Sequence, residues 1–332
     1  MSGDILEVRN LKKYFRTPGG MLHAVDDVSF SIGEGNTLGV VGESGCGKST
    51  LGRTVLGLLD ATDGEVFFDG RDITKLRGAG KKELRRDMQL IFQDPFSSLN
   101  PRKCVFDLIA LPLRVYNVCK TKKELRGKVL ELMDTAGIAG RFAFSYPHEL
   151  DGGRRQRVGI ARAIALSPRF IVCDEPVSAL DVSIQAQVLN LLQDLQESQK
   201  LTYIFVTHDL SVVRHISTRI MVMYMGVMVE ICEAKELFRN PLHPYTRGLL
   251  SAIPNLDIDV KRERILLKGE ITSPIEPAPG CRFANRCRDV CDACSAADPP
   301  LTEAEPGHFV ACIRVGVRGS NPVSLSEVLA NA

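Results

Sequence analysis

The segment Gly42-Glu43-Ser44-Gly45-Cys46-Gly47-Lys48-Ser49, followed by Thr50, fits the pattern G-x-x-x-x-G-K-[ST] in full. Its glycines let backbone N–H groups curl around phosphate oxygens, and a helix starting at its end adds positive partial charge. Lys48 is expected to reach the β- and γ-phosphates of a nucleoside triphosphate, and the Ser49 hydroxyl to ligate Mg²⁺. Cys46 reads as a small filler of the loop that could make it sensitive to thiol reagents. Far downstream, the apolar run Phe170-Ile171-Val172-Cys173 ends in Asp174-Glu175. Asp174 suits a Mg²⁺ contact, and Glu175 suits polarising an attacking water. Alone, such a pair is as easily a solvated strand end. Together with the phosphate loop it points to triphosphate hydrolysis.

These groups need strands and helices to hold them. Thr37–Val41, before the loop, is a short apolar run expected of a strand buried on both faces, and a helix follows from about Lys48 to Leu58. Strands are also expected at Ile5–Val8, Leu22–Ile32, Glu65–Asp69 and Met88–Phe92. Phe106 to Ala136 has helical spacing, with Leu125, Val129, Leu132 and Met133 on one stripe. Further strands at Phe170–Cys173, Tyr203–Val206 and Ile220–Met223 alternate with helices near 183–199 and 209–216. This alternation predicts an α/β fold with a parallel sheet wrapped by helices, interrupted by a helical subdomain at about 95–165. After Arg239 the composition shifts to a loop-rich tail punctuated by Pro241, Pro244, Pro254, Pro274, Pro277 and Pro279. A domain boundary is placed near residue 240, giving domains 1–240 and 241–332.

The 332 residues are 44% hydrophobic and 25% charged, ordinary for a chain that buries a core, and the net charge of +2 gives no reason to expect nucleic-acid binding. Met1–Asn10 lacks the apolar core of a signal peptide, and no run of about 18 apolar residues exists to span a membrane. A cytoplasmic location is expected. There the ten cysteines read as thiols or metal ligands before disulfides. Cys281, Cys287, Cys294 and Cys312 are spaced C-x5-C-x6-C-x17-C, with Cys291 as an extra thiol. Four converging thiolates suit a tetrahedral Zn²⁺ or an iron–sulfur cluster, and free thiols or oxidised pairs remain open. Structural zinc sites favour closer pairs, so the wide spacing suits a [4Fe–4S] cluster better.

Residues 146–181 narrow the class. Tyr146-Pro-His-Glu-Leu150-Asp151-Gly152-Gly153-Arg154-Arg155-Gln156-Arg157 precedes Ile160–Ile164, Asp174-Glu175-Pro176 and Ser178-Ala-Leu-Asp181. In this order they resemble the nucleotide-binding domain of an ABC (ATP-binding cassette) ATPase, a P-loop NTPase fold, from residue 5 to about 235. The resemblance implies further roles. Tyr14 would stack on adenine. Gln93, in Ile-Phe-Gln-Asp-Pro, would sense the γ-phosphate, contribute to the Mg²⁺ site and contact the membrane partner. Asp151, Gly152 and Gly153 would face the ATP of an opposite subunit, Ser178–Asp181 would communicate across the dimer, and His208 would contact the γ-phosphate. Asn240-Pro-Leu-His-Pro-Tyr-Thr-Arg-Gly-Leu-Leu250 with Pro279-Gly280-Cys281 is similar to the C-terminal extension of oligopeptide and dipeptide importer ATPases. That similarity also points to the iron–sulfur reading. It implies a peripheral subunit on the cytoplasmic face of the inner membrane, paired with a second ATPase, driving two permease subunits fed by an extracytoplasmic peptide-binding protein. A soluble ABC ATPase of DNA repair or translation would need a coiled-coil insertion or two cassettes, and a regulatory subunit with little turnover would lack Glu175 or His208.

One departure matters. The family signature Leu-Ser-Gly-Gly-Gln is here Leu150-Asp151-Gly152-Gly153-Arg154. The serine donates a hydrogen bond to phosphate, whereas an ionised Asp151 only accepts. At about 4 Å its charge would cost roughly 1 kcal/mol in water-like surroundings and about 4 kcal/mol in a typical protein environment. Asp151 is also an excellent helix N-cap. A homodimer would carry the defect twice, so a heterodimer is expected.

Overall fold

The computed structural model describes residues 3–94, 98–253, 265–267, 269 and 273–315. Pro254 and the chain beyond 315, both assigned to the tail from sequence, lie outside the described residues, as does Pro95. In chain order the main elements are β1 (Asp4–Thr17), β2 (Gly20–Gly33), β3 (Thr37–Val41), α1 (Lys48–Val55), β4 (Asp63–Phe68) and β5 (Arg71–Asp72). Next come α2 (Gly78–Asp87), β6 (Met88–Ile91), α3 (Val105–Val115), α4 (Lys122–Thr135), α5 (Gly152–Ile164), β7 (Phe170–Asp174) and α6 (Val182–Gln199). The last are β8 (Thr202–Val206), α7 (Leu210–Ile216), β9 (Arg219–Tyr224), β10 (Val227–Glu233), α8 (Ala234–Arg239), α9 (Pro244–Ser251), β11 (Thr302–Glu305) and β12 (His308–Val310). The chain divides into two compact units, Met1–Leu76 with Phe205–Ala332, and Arg77–Ile204.

In the first unit β3 is buried along its whole length and pairs in parallel with β9, from Leu38↔Arg219 to Val41↔Val222. The remaining pairings described in this unit are antiparallel, a departure from the sequence expectation that local connections explain. Thr17 and Gly20 are paired across a two-residue turn, and so short a connection permits only an antiparallel partner. Likewise β9 turns into β10 through Met225 (φ 45°) and Gly226 (φ 84°), the left-handed pair that a tight hairpin requires. β12 then pairs with β10, Glu230↔Val310 and Ile231↔Phe309, and β11 closes on β12. The tail strands therefore extend the same sheet.

In the second unit β6 and β7 run parallel, Met88↔Phe170 to Ile91↔Cys173. The stretch expected to be helical from 106 to 136 is two helices. Asn117 adopts a left-handed φ of 50°, which ends the first, and Thr121 starts the second by accepting from the Glu124 amide. Val129, Leu132 and Met133 of α4 are buried, as their spacing requires. Among the described residues no helix is long and apolar enough to cross a membrane.

Candidate functional site

The loop between β3 and α1 is curled by glycine. Gly42 (φ 152°) and Gly47 (φ 103°) approach backbone so closely that a Cβ would lie 2.2 Å from the Met223 carbonyl oxygen and 2.0 Å from that of Ala24, respectively. No other residue type fits there. Lys48 is buried at the start of α1, and its Nζ donates to the carbonyls of Gly42 (2.8 Å) and Glu43 (2.9 Å) across the loop. Ser44 and Gly45 are exposed, and Ser49 and Thr50 lie half-buried in the first turn. Cys46 is buried, and burial pushes its thiol pKa up despite Lys48 nearby. Burial of a thiol works against its reaction with external reagents.

Two further residues assigned to the site from sequence lie in this unit. Thr207 donates its amide to Val40 (3.1 Å), so the chain leaves β8 alongside β3 and presents His208, exposed, beyond the strand ends where α/β sheets bind ligands. Asp209 then caps α7 through the Ser211 amide (2.7 Å). Tyr14, half-buried on β1, stacks on His23 at 4.0 Å and donates its hydroxyl to Asp26. Burial works against an ionised Asp26, but hydrogen bonds from Tyr14 and His23, with the Arg282 charge, hold its pKa below the ordinary carboxylate value.

In the second unit Asp174 ends β7, 1% exposed, and Glu175 follows in a left-handed conformation (φ 44°) uncommon for a non-glycine residue. Glu175 Oε2 accepts from Gln93 Nε2 at 2.8 Å, joining two residues 82 positions apart that the sequence assigned to one site. Asp151 caps α5, accepting from the Arg154 amide at 2.7 Å. The Arg154 guanidinium, lying over the Phe142 ring at 4.7 Å, also binds Asp151 Oδ2 at 2.5 Å. Asp151 is thus not a bare anion. Its charge is partly offset by the residue that replaces the signature glutamine. Gly153 admits α6 closely, since a Cβ would lie 2.5 Å from Ile184 Cγ2.

Sequence reasoning missed the residues through which the tail meets the loop. Arg286 clamps Glu43 with both terminal nitrogens, at 2.6 and 3.0 Å. The Tyr245 hydroxyl accepts from the Glu43 amide at 2.9 Å, and Arg282 binds Asp26 beside Tyr14. The partners lie 243, 202 and 256 residues apart, so no local pattern announces them. The tail also forms an open, apolar pocket. Cys281, Cys287, Cys294 and Cys312 all line it, with Phe283, whereas Cys291 does not and instead has its Sγ 3.6 Å from that of Cys294. Burial pushes the Cys281 pKa up to about 11 while a hydrogen bond from the Phe283 backbone opposes it. Among the described residues no three of these sulfurs lie within 4.8 Å of one another.

The chain resembles known proteins in sequence and fold. Residues 25–178 match the ABC transporter family, and residues 229–294 match the oligopeptide/dipeptide transporter C-terminal region. The oligopeptide transport ATP-binding protein AppF of Bacillus subtilis is 52% identical over 318 residues, covering 93% of this chain and 96% of the relative. OppF of the same organism, also an oligopeptide transport ATP-binding protein, is 50% identical over 94% of this chain and 97% of its own length. Among solved structures, the ATP-binding cassette MJ0796, a dimer in a post-hydrolysis state with ADP and Pi, superposes with a TM-score of 0.64 at 32% identity over 69% of this chain and 98% of that one. CbiO1 of Clostridium perfringens, part of an ABC transporter complex, gives a TM-score of 0.63 at 28% identity over 71% of this chain and 91% of its own. The chain therefore belongs to the ATP-binding subunit family of oligopeptide and dipeptide ABC transporters, with the nucleotide-binding fold of an ABC ATPase.

Proposed function

We propose that this chain hydrolyses ATP to drive peptide import as one half of an ATPase heterodimer, docked on two permease subunits at the cytoplasmic face of the inner membrane and served by an extracytoplasmic peptide-binding protein. Residues 1–240 are the nucleotide-binding domain, with a helical subdomain at about 95–165, and 241–332 the extension. The observation that carries the reading is the phosphate loop, whose two crowded glycines curl it around the buried Lys48 at the start of α1. Lys48 binds the terminal phosphates, with Gly42, Ser44, Gly45, Cys46, Gly47 and Thr50 lining the loop. Tyr14 stacks on adenine and His208 contacts the γ-phosphate. Hard oxygen donors fit Mg²⁺, here the Ser49 hydroxyl, the Gln93 amide and the Asp174 carboxylate, and the ion supplies charge neutralisation of the phosphates. Glu175, held by Gln93, orients water for attack.

The heterodimer rests on the signature. Asp151 is committed to the Arg154 amide and guanidinium, so it has no hydrogen to donate to a phosphate across the dimer. With Gly152 and Gly153 it forms the weaker composite site, and a partner with an intact serine completes the hydrolytic one. Asp151→Ser in the assembled complex tests this by ATP turnover and nucleotide occupancy, and unchanged values of both remove the asymmetry. For the cysteine pocket we assign a [4Fe–4S] cluster on Cys281, Cys287, Cys294 and Cys312. The assignment rests on four thiols lining one apolar pocket, on a backbone N–H of Phe283 on the Cys281 sulfur, and on a spacing wider than structural zinc sites favour. When bound, the cluster cross-links the tail.

A further inference from the structure

His308, 1% exposed on β12, uses Nε2 to meet Glu230 Oε1 at 2.7 Å. Glu230 is itself wholly buried, and its two oxygens also accept from the amides of Leu242 (2.7 Å) and His243 (3.0 Å). Facing two amide donors, this carboxylate acts as acceptor, so the hydrogen between it and the ring belongs to His308 Nε2. In the neutral imidazole Nδ1 then carries a lone pair. That Nδ1 is buried and has no hydrogen-bond partner. Nearby, Glu236 Oε1 of α8 is also buried without a partner. One ligand atom each from His308, Glu236 and Glu305 lies within 4.8 Å of the other two, and Nδ1 is the ring nitrogen left to serve. The other carboxylate oxygens are placed from outside, Glu236 Oε2 by Arg239 Nε at 3.2 Å and Glu305 Oε2 by the Asn240 amide at 3.3 Å.

An unpartnered ring nitrogen buried beside two carboxylates calls for a bound proton or metal cation between them. The carboxylate–imidazole pair Glu230–His308 is the arrangement that orients a metal-binding histidine and raises its basicity. We infer that His308 Nδ1, Glu236 and Glu305 hold a Zn²⁺ ion, with water as fourth ligand, at a site separate from the cysteine pocket and from the nucleotide. One imidazole and two carboxylates suit zinc over Mg²⁺ or Ca²⁺, which take oxygen ligands. Ligands of a tetrahedral ion sit about 3.3 Å apart, so closure needs a contraction of about 1.5 Å or less. The ion would join α8, at the end of the cassette, to the β11–β12 hairpin of the tail.

The full-length chain, stripped by chelation and titrated with Zn²⁺, tests this against Glu305→Gln, at a half-exposed position, and against Glu236→Gln/Glu305→Gln. Expected are the loss of one Zn²⁺ equivalent per chain at micromolar metal and the loss of the Zn²⁺-induced rise in Tm, with the cysteines untouched. Co²⁺ in place of Zn²⁺ should give visible bands without thiolate charge transfer for that equivalent, and Glu230→Gln should weaken it about 10–100-fold. Equal stoichiometry and Tm response in wild type and both variants overturn the site. So does ¹⁵N NMR showing both His308 ring nitrogens protonated in the presence of Zn²⁺.

Discussion

Asp151 and Arg154 show how two substitutions in one short motif compensate locally while changing what the motif offers a ligand. The carboxylate keeps the helix start and the arginine offsets its charge, but at 56% and 45% side-chain exposure the ion pair itself contributes less than about 1 kcal/mol. The cap is the larger share. Asp151→Ser should leave stability within about 0.5 kcal/mol, whereas Asp151→Ala should cost about 1 kcal/mol in urea melts. Glu175 carries a different burden. Glu175→Gln keeps the shape and the Gln93 contact but removes the base, so ATP turnover should fall about 10²–10⁴-fold with ATP affinity retained, read by steady-state kinetics beside equilibrium nucleotide binding.

At the scale of elements, the phosphate loop is held from two directions. Glycine curvature comes from the β3–α1 connection, and the tail grips the outside of the loop through Tyr245 and Arg286 on Glu43. Arg286 is 8% exposed and lies between Cys281 and Cys287, so the loop's support is tied to the cysteine segment. Arg286→Gln leaves the Glu43 carboxylate without its partner. It should lower stability by about 1–3 kcal/mol and raise the KM for ATP, measured by melts and turnover on the same preparation. The four pocket cysteines and Cys291 should also separate in experiment. In anaerobically purified protein, Cys281→Ser should lose iron, acid-labile sulfide and visible absorption, and Cys291→Ser should keep all three. Equal loss in both variants would place Cys291 among the ligands.

Over the whole molecule, the tail belongs to the cassette's own first unit, because β12 continues the sheet at β10 and Arg282 reaches Asp26 at the hairpin of β1 and β2. Asp26 makes acid stability a report on that long-range contact. Its folded pKa is depressed, so its contribution is present above the unfolded value of about 4 and is lost as pH falls below it toward the folded value. Wild type should therefore lose stability more steeply than Asp26→Asn between about pH 4 and 3, while the variant should be the less stable at neutral pH. Parallel curves for the two proteins would show that Asp26 is not linked to folding.

The phosphate loop, the Asp174-Glu175 strand end, the signature and the spacing of the tail cysteines are all legible in the sequence, because each is a short-range pattern fixed by backbone geometry. Glycines must stand where the loop curls, and apolar runs must precede the buried carboxylate. The continuity of residues 302–310 with β10 could not be read there, since strand pairing across about eighty positions leaves no local trace. Pairing of Gln93 with Glu175, Arg286 with Glu43, and His308 with Glu230 likewise needed the folded chain. Residue types and spacing determine which chemistry is available. Burial decides which charges meet, because only where water is excluded must each polar group find a specific partner.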